Sequence, residues 1–233
     1  MAFKDGDFLE VEYTLWSDAD ARVLESTNEK VAKEANIYSD KVKYEPILVI
    51  LGSGAVVKGM ESALMGMDLN TPKKFSLKPA DAFGERNADL VRVMPLSEFK
   101  KHDINPYPGM RLKMDNMTIT VKSINSGRVV VDANHPYAGM AITYELKVVK
   151  NITSEDEKIK ILGKTYGAEP SEVKISGSQV QMVYKDSVQK NADYFVGKAN
   201  AIASAFTYIN SIDSVKVIEE YSKPKEHKHE EEQ

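Results

Sequence analysis

The segment from Ile47 to Met67 constrains the fold most, because its hydrophobic repeat changes period across two glycines. Ile47 to Leu51 is a continuous apolar run, short enough for a buried strand. Gly52 and Gly54 end it, and Val57 to Met67 then sets Met60, Ala63, Leu64 and Met67 on one helical face. The surrounding stretch, Pro46 to Val57, is the most apolar in the chain. It is too short to cross a bilayer, and the same glycines break it.

Strand signals flank this unit. Phe8 to Leu15 alternates, with Leu9, Val11, Tyr13 and Leu15 against Phe8, Glu10, Glu12 and Thr14, as a half-buried strand does. A turn at Ser17 to Asp20 leads to a short strand at Arg22 to Ser26, and residues 28–38 predict a short surface helix. Lys73 to Leu77 reads as another strand. After Phe83-Gly84 the composition shifts, with Pro95, Pro106 and Pro108 ahead of strands at Met110–Met114, Thr118–Ile124 and Arg128–Val131, the last two joined through Asn125-Ser126-Gly127. Residues 85–132 therefore read as an insertion into a small β-rich domain, which the strand Met140–Val149 completes.

At 233 residues the chain exceeds the roughly 100–150 of a usual domain, so further units are expected. Glu155 to Tyr166 reads as helix, and Val173–Ile175 with Val180–Tyr184 as a hairpin. The strongest helical pattern spans 191–210, where Ala192, Phe195, Val196, Ala199, Ile202, Ala203, Phe206 and Ile209 recur at three- and four-residue spacing. A strand at Val215–Tyr221 precedes a charged tail, 223–233, expected to be disordered.

Composition removes whole classes of chemistry. There is no cysteine, hence no disulfide, thiol nucleophile or thiolate metal site. The net charge of −4 argues against a partner held through phosphates. The charged, alternating N-terminal residues do not read as a signal peptide, so a cytoplasmic protein without membrane contact is expected. Gly52-Ser53-Gly54 lacks the spacing of a nucleophile elbow, and there is no phosphate loop or dinucleotide fingerprint. His102 and His135 stand apart, and His227 and His229 lie in the tail, so no metal site is expected.

What remains are aromatic and aliphatic positions in short motifs. Leu48 to Glu61 (LVILGSGAVVKGME) resembles the strand-turn-helix of the FKBP-type prolyl isomerases. Val11-Glu12-Tyr13-Thr14 and Val23 to Thr27 are similar to that family's tyrosine strand and Phe-Asp-Ser motif. Pro79 to Gly84 resembles its aromatic-glycine loop, and Val129 to Gly139 the return from the insert in the SlyD-like branch. The third unit resembles the C-terminal extension of long archaeal members.

The resemblance implies an α+β chain. An FKBP-like antiparallel sheet wraps on a helix (1–84 plus 133–150), with an inserted β-rich flap domain (85–132) and a C-terminal α+β domain (155–222). It implies a prolyl isomerase without cofactor, acting on Xaa-Pro bonds of unfolded or nascent polypeptides that the insert also holds. Catalytic positions would be Tyr13, Glu25, Val56, Val57, Met60, Phe83 and Tyr144, with Leu24, Ile47, His135 and Tyr137 binding substrate. Val57 would offer its N–H to the substrate carbonyl. In the insert, Met94, Leu96, Phe99, Met110, Met114 and Met117 would hold clients, since unbranched methionines adapt to varied apolar surfaces. Three residues depart from the family pattern: Met60 replaces Trp, Leu24-Glu25 replaces Phe-Asp, and Phe83 replaces Tyr.

Physical chemistry points the same way. Peptide-bond resonance sets a rotation barrier of about 18–20 kcal/mol, and twisting the bond removes that resonance. A water-stripping apolar pocket favours the less polar twisted carbonyl over the planar amide, with no proton transfer or covalent intermediate. Two rivals stay open at the sequence level: a holdase that kept the fold without turnover, and an adaptor working through 155–222. For the third unit, homodimerisation, a wider client surface and docking to a ribosome or other partner are equally open.

Overall fold

The computed structural model describes residues 3–114, 117–185 and 191–221. The tail at 223–233, with His227 and His229, lies outside the described residues. The core is a five-stranded antiparallel sheet. Strand β1 (Phe8–Ser17) carries β2 (Val23–Ser26) and β3 (Ile47–Ile50) on one edge. Between these two, the short helix α1 (Glu29–Glu34) starts where the Asn28 side chain accepts from the backbone N–H groups of Lys30 and Val31.

Helix α2 (Lys58–Met65) follows the glycine turn, β4 (Lys73–Leu77) comes next, and further on β5 (Val91–Pro95), α3 (Leu96–Lys101), β6 (Arg111–Met114), β7 (Met117–Asn125) and β8 (Arg128–Asp132) form the insert. Strand β9 (Ile142–Ile152) then returns to pair with both β1 and β4. The register slips between Glu10 and Val11 against β9, and between Leu15 and Trp16 against β2. Such irregularities bend a strand and increase its twist, which lets this sheet curl around α2. Leu9, Val11, Leu15, Val49, Leu51, Met60, Leu64, Tyr144 and Leu146 close the core between them.

The insert is a four-stranded sheet in the order β5-β8-β7-β6, with Phe99 of α3 packed on Ile119, Val121, Val129 and Val131. Ser126 and Gly127 both have positive φ, 48° and 75°, the two-residue geometry that joins β7 to β8 without splaying them. β5 and α3 were not foreseen in the sequence. Pro95 ends β5 on the sheet's edge, where no ladder hydrogen bond is lost.

The third unit contains α4 (Glu155–Thr165), β10 (Glu172–Ser176), β11 (Gln179–Lys185), α5 (Ala192–Tyr208) and β12 (Ser214–Glu220). β10 and β11 form a hairpin, and β12 lies parallel to β11 across the α5 crossover. A Cβ on Gly197 would sit 2.0 Å from the Tyr166 carbonyl oxygen, so only glycine lets α5 pass this close to the end of α4.

Two sequence expectations change here. The inner face of α5 is Tyr194, Gly197, Ala201 and Ala205, while Phe195, Val196 and Phe206 are exposed. Phe8, placed with the polar residues of β1, is fully buried. It packs with Ile50, Ile152, Ile159, Leu162 and Tyr184, because the third unit covers the outer face of the sheet at that end.

Candidate active site

Alternation along β1 puts Tyr13 on the same face as Val11 and Leu15. Its ring meets Tyr144 of β9 edge-on, with centroids 6.0 Å apart. The register that pairs Phe75 with Tyr144 stacks those two rings at 6.1 Å. The Tyr13 hydroxyl donates to Oε2 of Glu25 at 3.1 Å. Met60, only 2% exposed, lies beneath, and Leu24, Ile47, Val56, Val57 and Phe83 are half-buried against the same apolar cluster.

Val57 is extended (φ −62°, ψ 146°) at the N-cap of α2. Its carbonyl accepts from the N–H groups of Met60 and Glu61, at 2.9 and 3.2 Å. Among the described residues, the Val57 N–H donates to no protein group. The residue three positions on, Met60, has no side-chain acceptor that could reach back to this N–H as a capping box does, which leaves it available to a ligand.

The opposite wall is aromatic. Phe83 follows the short 3-10 turn Pro79–Asp81 and stacks on His135, with centroids 4.3 Å apart and planes 1° from parallel. Tyr137 meets Phe83 edge-on at 5.2 Å. The backbone N–H of Tyr137 donates to Nδ1 of His135 at 3.2 Å, which requires that nitrogen to be unprotonated. Burial, then the Arg111 charge, lowers the His135 pKa against the opposing pull of Glu25.

Burial, then the Glu25 charge, raises all three phenols: Tyr137 to about 12, and Tyr13 and Tyr144 higher still. Every ring here is neutral near pH 7. The cluster presents apolar and aromatic side chains beside the Val57 N–H, and among the described residues it holds no poised nucleophile.

The eleven expected pocket positions thus come from β1, β2, β3, the α2 turn, the aromatic-glycine loop, the return from the insert and β9. All but Glu25 and His135 belong to one apolar cluster. Glu25 joins it through Tyr13, and His135 through Phe83. Sequence reasoning missed Phe75 as a site residue, although its alternation with Leu77 on Lys73–Leu77 marked an inward face. It also missed Arg111, an insert residue whose place beside His135 depends on tertiary structure.

The insert residues divide. Phe99 is 2% exposed and forms the insert's own core, so it is withdrawn from the client surface. Met94, Leu96, Met110 and Met114 are half-buried, and Met117 is exposed. Met94, Met114 and Met117 line a hollow of about 200 Å3 with Val93, Ile119 and Val131.

Comparison with known proteins fits this geometry. The family profile for FKBP-type peptidyl-prolyl cis-trans isomerase matches residues 1–98, and that for the FKBP26 IF domain matches residues 92–137. The short-type peptidyl-prolyl cis-trans isomerase of Methanocaldococcus jannaschii is 32% identical over 145 residues, which cover 62% of this chain and 91% of that protein. The chain belongs to the FKBP-type peptidyl-prolyl cis-trans isomerases.

Other FKBP-type relatives are similar over shorter spans. The FKBP-type 16 kDa peptidyl-prolyl cis-trans isomerase of Escherichia coli K12 is 30% identical over 46% of this chain and 74% of its own length. The isomerase SlyD of Vibrio cholerae is 31% identical over 48% of this chain and 58% of its own. This chain is therefore an FKBP-type isomerase of the SlyD-like kind, carrying an insert-in-flap domain and belonging to a family that acts on proline-containing polypeptides. Among the described residues, no helix is long and apolar enough to cross a membrane.

Proposed function

We propose that Xaa-Pro bonds of unfolded or nascent chains are isomerised in the hollow bounded by Tyr13, Val56, Val57, Met60, Phe83 and Tyr144. Leu24, Ile47, His135 and Tyr137 shape its rim, and Glu25 orients the Tyr13 hydroxyl. The convergence of these side chains, from separate elements, into one apolar cluster beside a free Val57 N–H carries the reading. The proline ring lies on Met60, and its preceding carbonyl takes the Val57 N–H. Loss of solvation raises the planar amide relative to the twisted one.

The insert serves as the holding surface, through Met94, Leu96, Met110, Met114 and Met117. The methionine-lined hollow supports this role, because flexible thioether side chains adapt to different apolar segments. The third unit pairs two copies through the outward face of α5, where Phe195, Val196 and Phe206 are exposed; concentration-dependent sedimentation reads this directly.

A protease-free assay on an Xaa-Pro tetrapeptide tests the pocket. Phe83→Ala lowers kcat/KM by about tenfold, the scale expected when one desolvating ring is lost. Wild-type turnover by Phe83→Ala would remove it from the site. Replacing residues 86–131 with a short turn leaves most of the tetrapeptide rate but slows proline-limited refolding of an unfolded protein. Equal losses on both substrates would show that holding and turnover are not separable.

A further inference from the structure

Three residues of the proposed site, Glu25, His135 and Tyr137, also line a cleft of about 520 Å3 built from two parts of the chain. Glu25, His135 and Tyr137 form one wall, and Arg111, Met117 and Thr120 the other. Arg111 opens β6 and pairs in register with Thr120, so both sit on the side of the insert sheet that faces the isomerase rings. Its charge reaches His135 and Tyr137.

Two cations of the insert, Arg86 and Lys122, lie within ion-pairing distance of the single carboxylate Asp132. Arg111 is placed differently. Among the described residues, no carboxylate lies within ion-pairing distance of it. Glu25, the carboxylate on the facing wall, accepts the Tyr13 hydroxyl and keeps its charge, so the anion-receiving side of the cleft is the insert wall at Arg111. The cleft thus offers a client an unpaired guanidinium, a planar fork that binds a carboxylate through two N–H groups.

We propose that Arg111 is a specificity-determining residue for the isomerase reaction: it receives a carboxylate from the client, favouring Xaa-Pro segments with an Asp or Glu flanking the proline. The proposal rests on the pocket reading above. The occupant is an acidic polypeptide segment leading from the proline pocket toward the insert. A lysine placed against Arg111 instead meets like charge.

The test uses acetylated, amidated pentapeptides that differ only in a Glu, Gln or Lys flanking the proline on either side, so that no terminal charge interferes. On the side that enters the cleft, the full-length protein turns over the Glu peptide with kcat/KM roughly two- to fivefold above the Lys peptide, the range of a partly exposed ion pair. Added salt shrinks that ratio. Arg111→Gln brings it to about one, and Arg111→Glu inverts it. Equal kcat/KM for the three wild-type peptides on both sides overturns the proposal, as does an equal loss on all three in the Arg111 variants. An Arg111→Glu ratio like that of wild type, while Phe83→Ala remains impaired, defeats this inference alone. If Phe83→Ala retains full turnover on the same peptides, the pocket reading itself has failed.

Discussion

Glu25 illustrates how a carboxylate can sit beside an apolar pocket without taking part in proton chemistry. It accepts from the Tyr13 hydroxyl, and its charge helps to raise the pKa of Tyr13, Tyr137 and Tyr144 after the larger effect of burial. Those phenols stay protonated, so kcat/KM should be level from about pH 7 to about pH 9. A bell-shaped profile in that window would show a titrating group in the transition state. His135 behaves differently. Its folded-state pKa lies below the ordinary 6.5. The unfolded chain then binds the proton first, so stability falls as the pH drops below about 6.5 and recovers as it rises. Protonation also breaks the Tyr137 N–H bond to Nδ1 and brings a cation toward Arg111, so turnover declines on acidification in wild type but not in His135→Gln. Most of this site was legible because its motifs are local: a tyrosine strand, a glycine turn running into a helix, an aromatic-glycine loop. Phe75 and Arg111 were not, since each joins the site only through pairing with distant strands.

The two crossings into and out of the insert are held by a small polar network rather than by apolar packing. Asp132, 3% exposed, pairs with Arg86 and more distantly with Lys122. Its Oδ1 accepts from the Asn134 backbone and side chain at 3.0 and 2.8 Å. Asn134 in turn exchanges hydrogen bonds with the Asn87 backbone, at 2.8 and 2.9 Å. Burial would raise the Asp132 pKa, but the Asn134 bonds and Arg86 outweigh it, and the carboxyl is held below its ordinary range. The stability it contributes is present above about pH 3.9 and lost as the pH falls through the lower folded-state value. Asp132→Ala leaves buried amide groups of Asn134 unsatisfied and should cost about 1–3 kcal/mol. It should also speed hydrogen exchange in β5 and β8; wild-type exchange there would mean that the network does not anchor the insert. The β7–β8 hairpin could be read from Asn125-Ser126-Gly127, because turn chemistry is written in adjacent residues. β5 and α3 were hidden, because Pro95 sits at their junction and the inward side chain of α3, Phe99, has its partners on β7 and β8.

At the scale of the whole chain, an apolar seam centred on Phe8, with Ile50 and Ile152, joins the catalytic sheet to the third unit. Leu9 faces the core around α2, while its neighbour Phe8 faces the other way, into α4 and the sheet of the third unit. Phe8 stood out among Glu10, Glu12 and Thr14 as an apolar residue on a polar face, a sign that something covers it. Nothing local says what, because Ile159, Leu162 and Tyr184 come from about 150 residues downstream or more. Lys158 lies 5.0 Å from the Phe8 ring centre, and Lys164 pairs with Glu45 across the same junction at 2.7 Å. The Lys164–Glu45 pair is exposed and adds little, so the apolar seal dominates. Phe8→Ala should therefore cost about 3–5 kcal/mol and uncouple the units in calorimetry, with the third unit melting first. The α2 side of β1 keeps its contacts, so tetrapeptide turnover below that first transition should persist. A single transition at the wild-type midpoint would mean that the seal is not what holds the third unit. Loss of turnover alongside the uncoupling would mean that the catalytic sheet needs its cover to keep the curvature that brings Tyr13 to Tyr144.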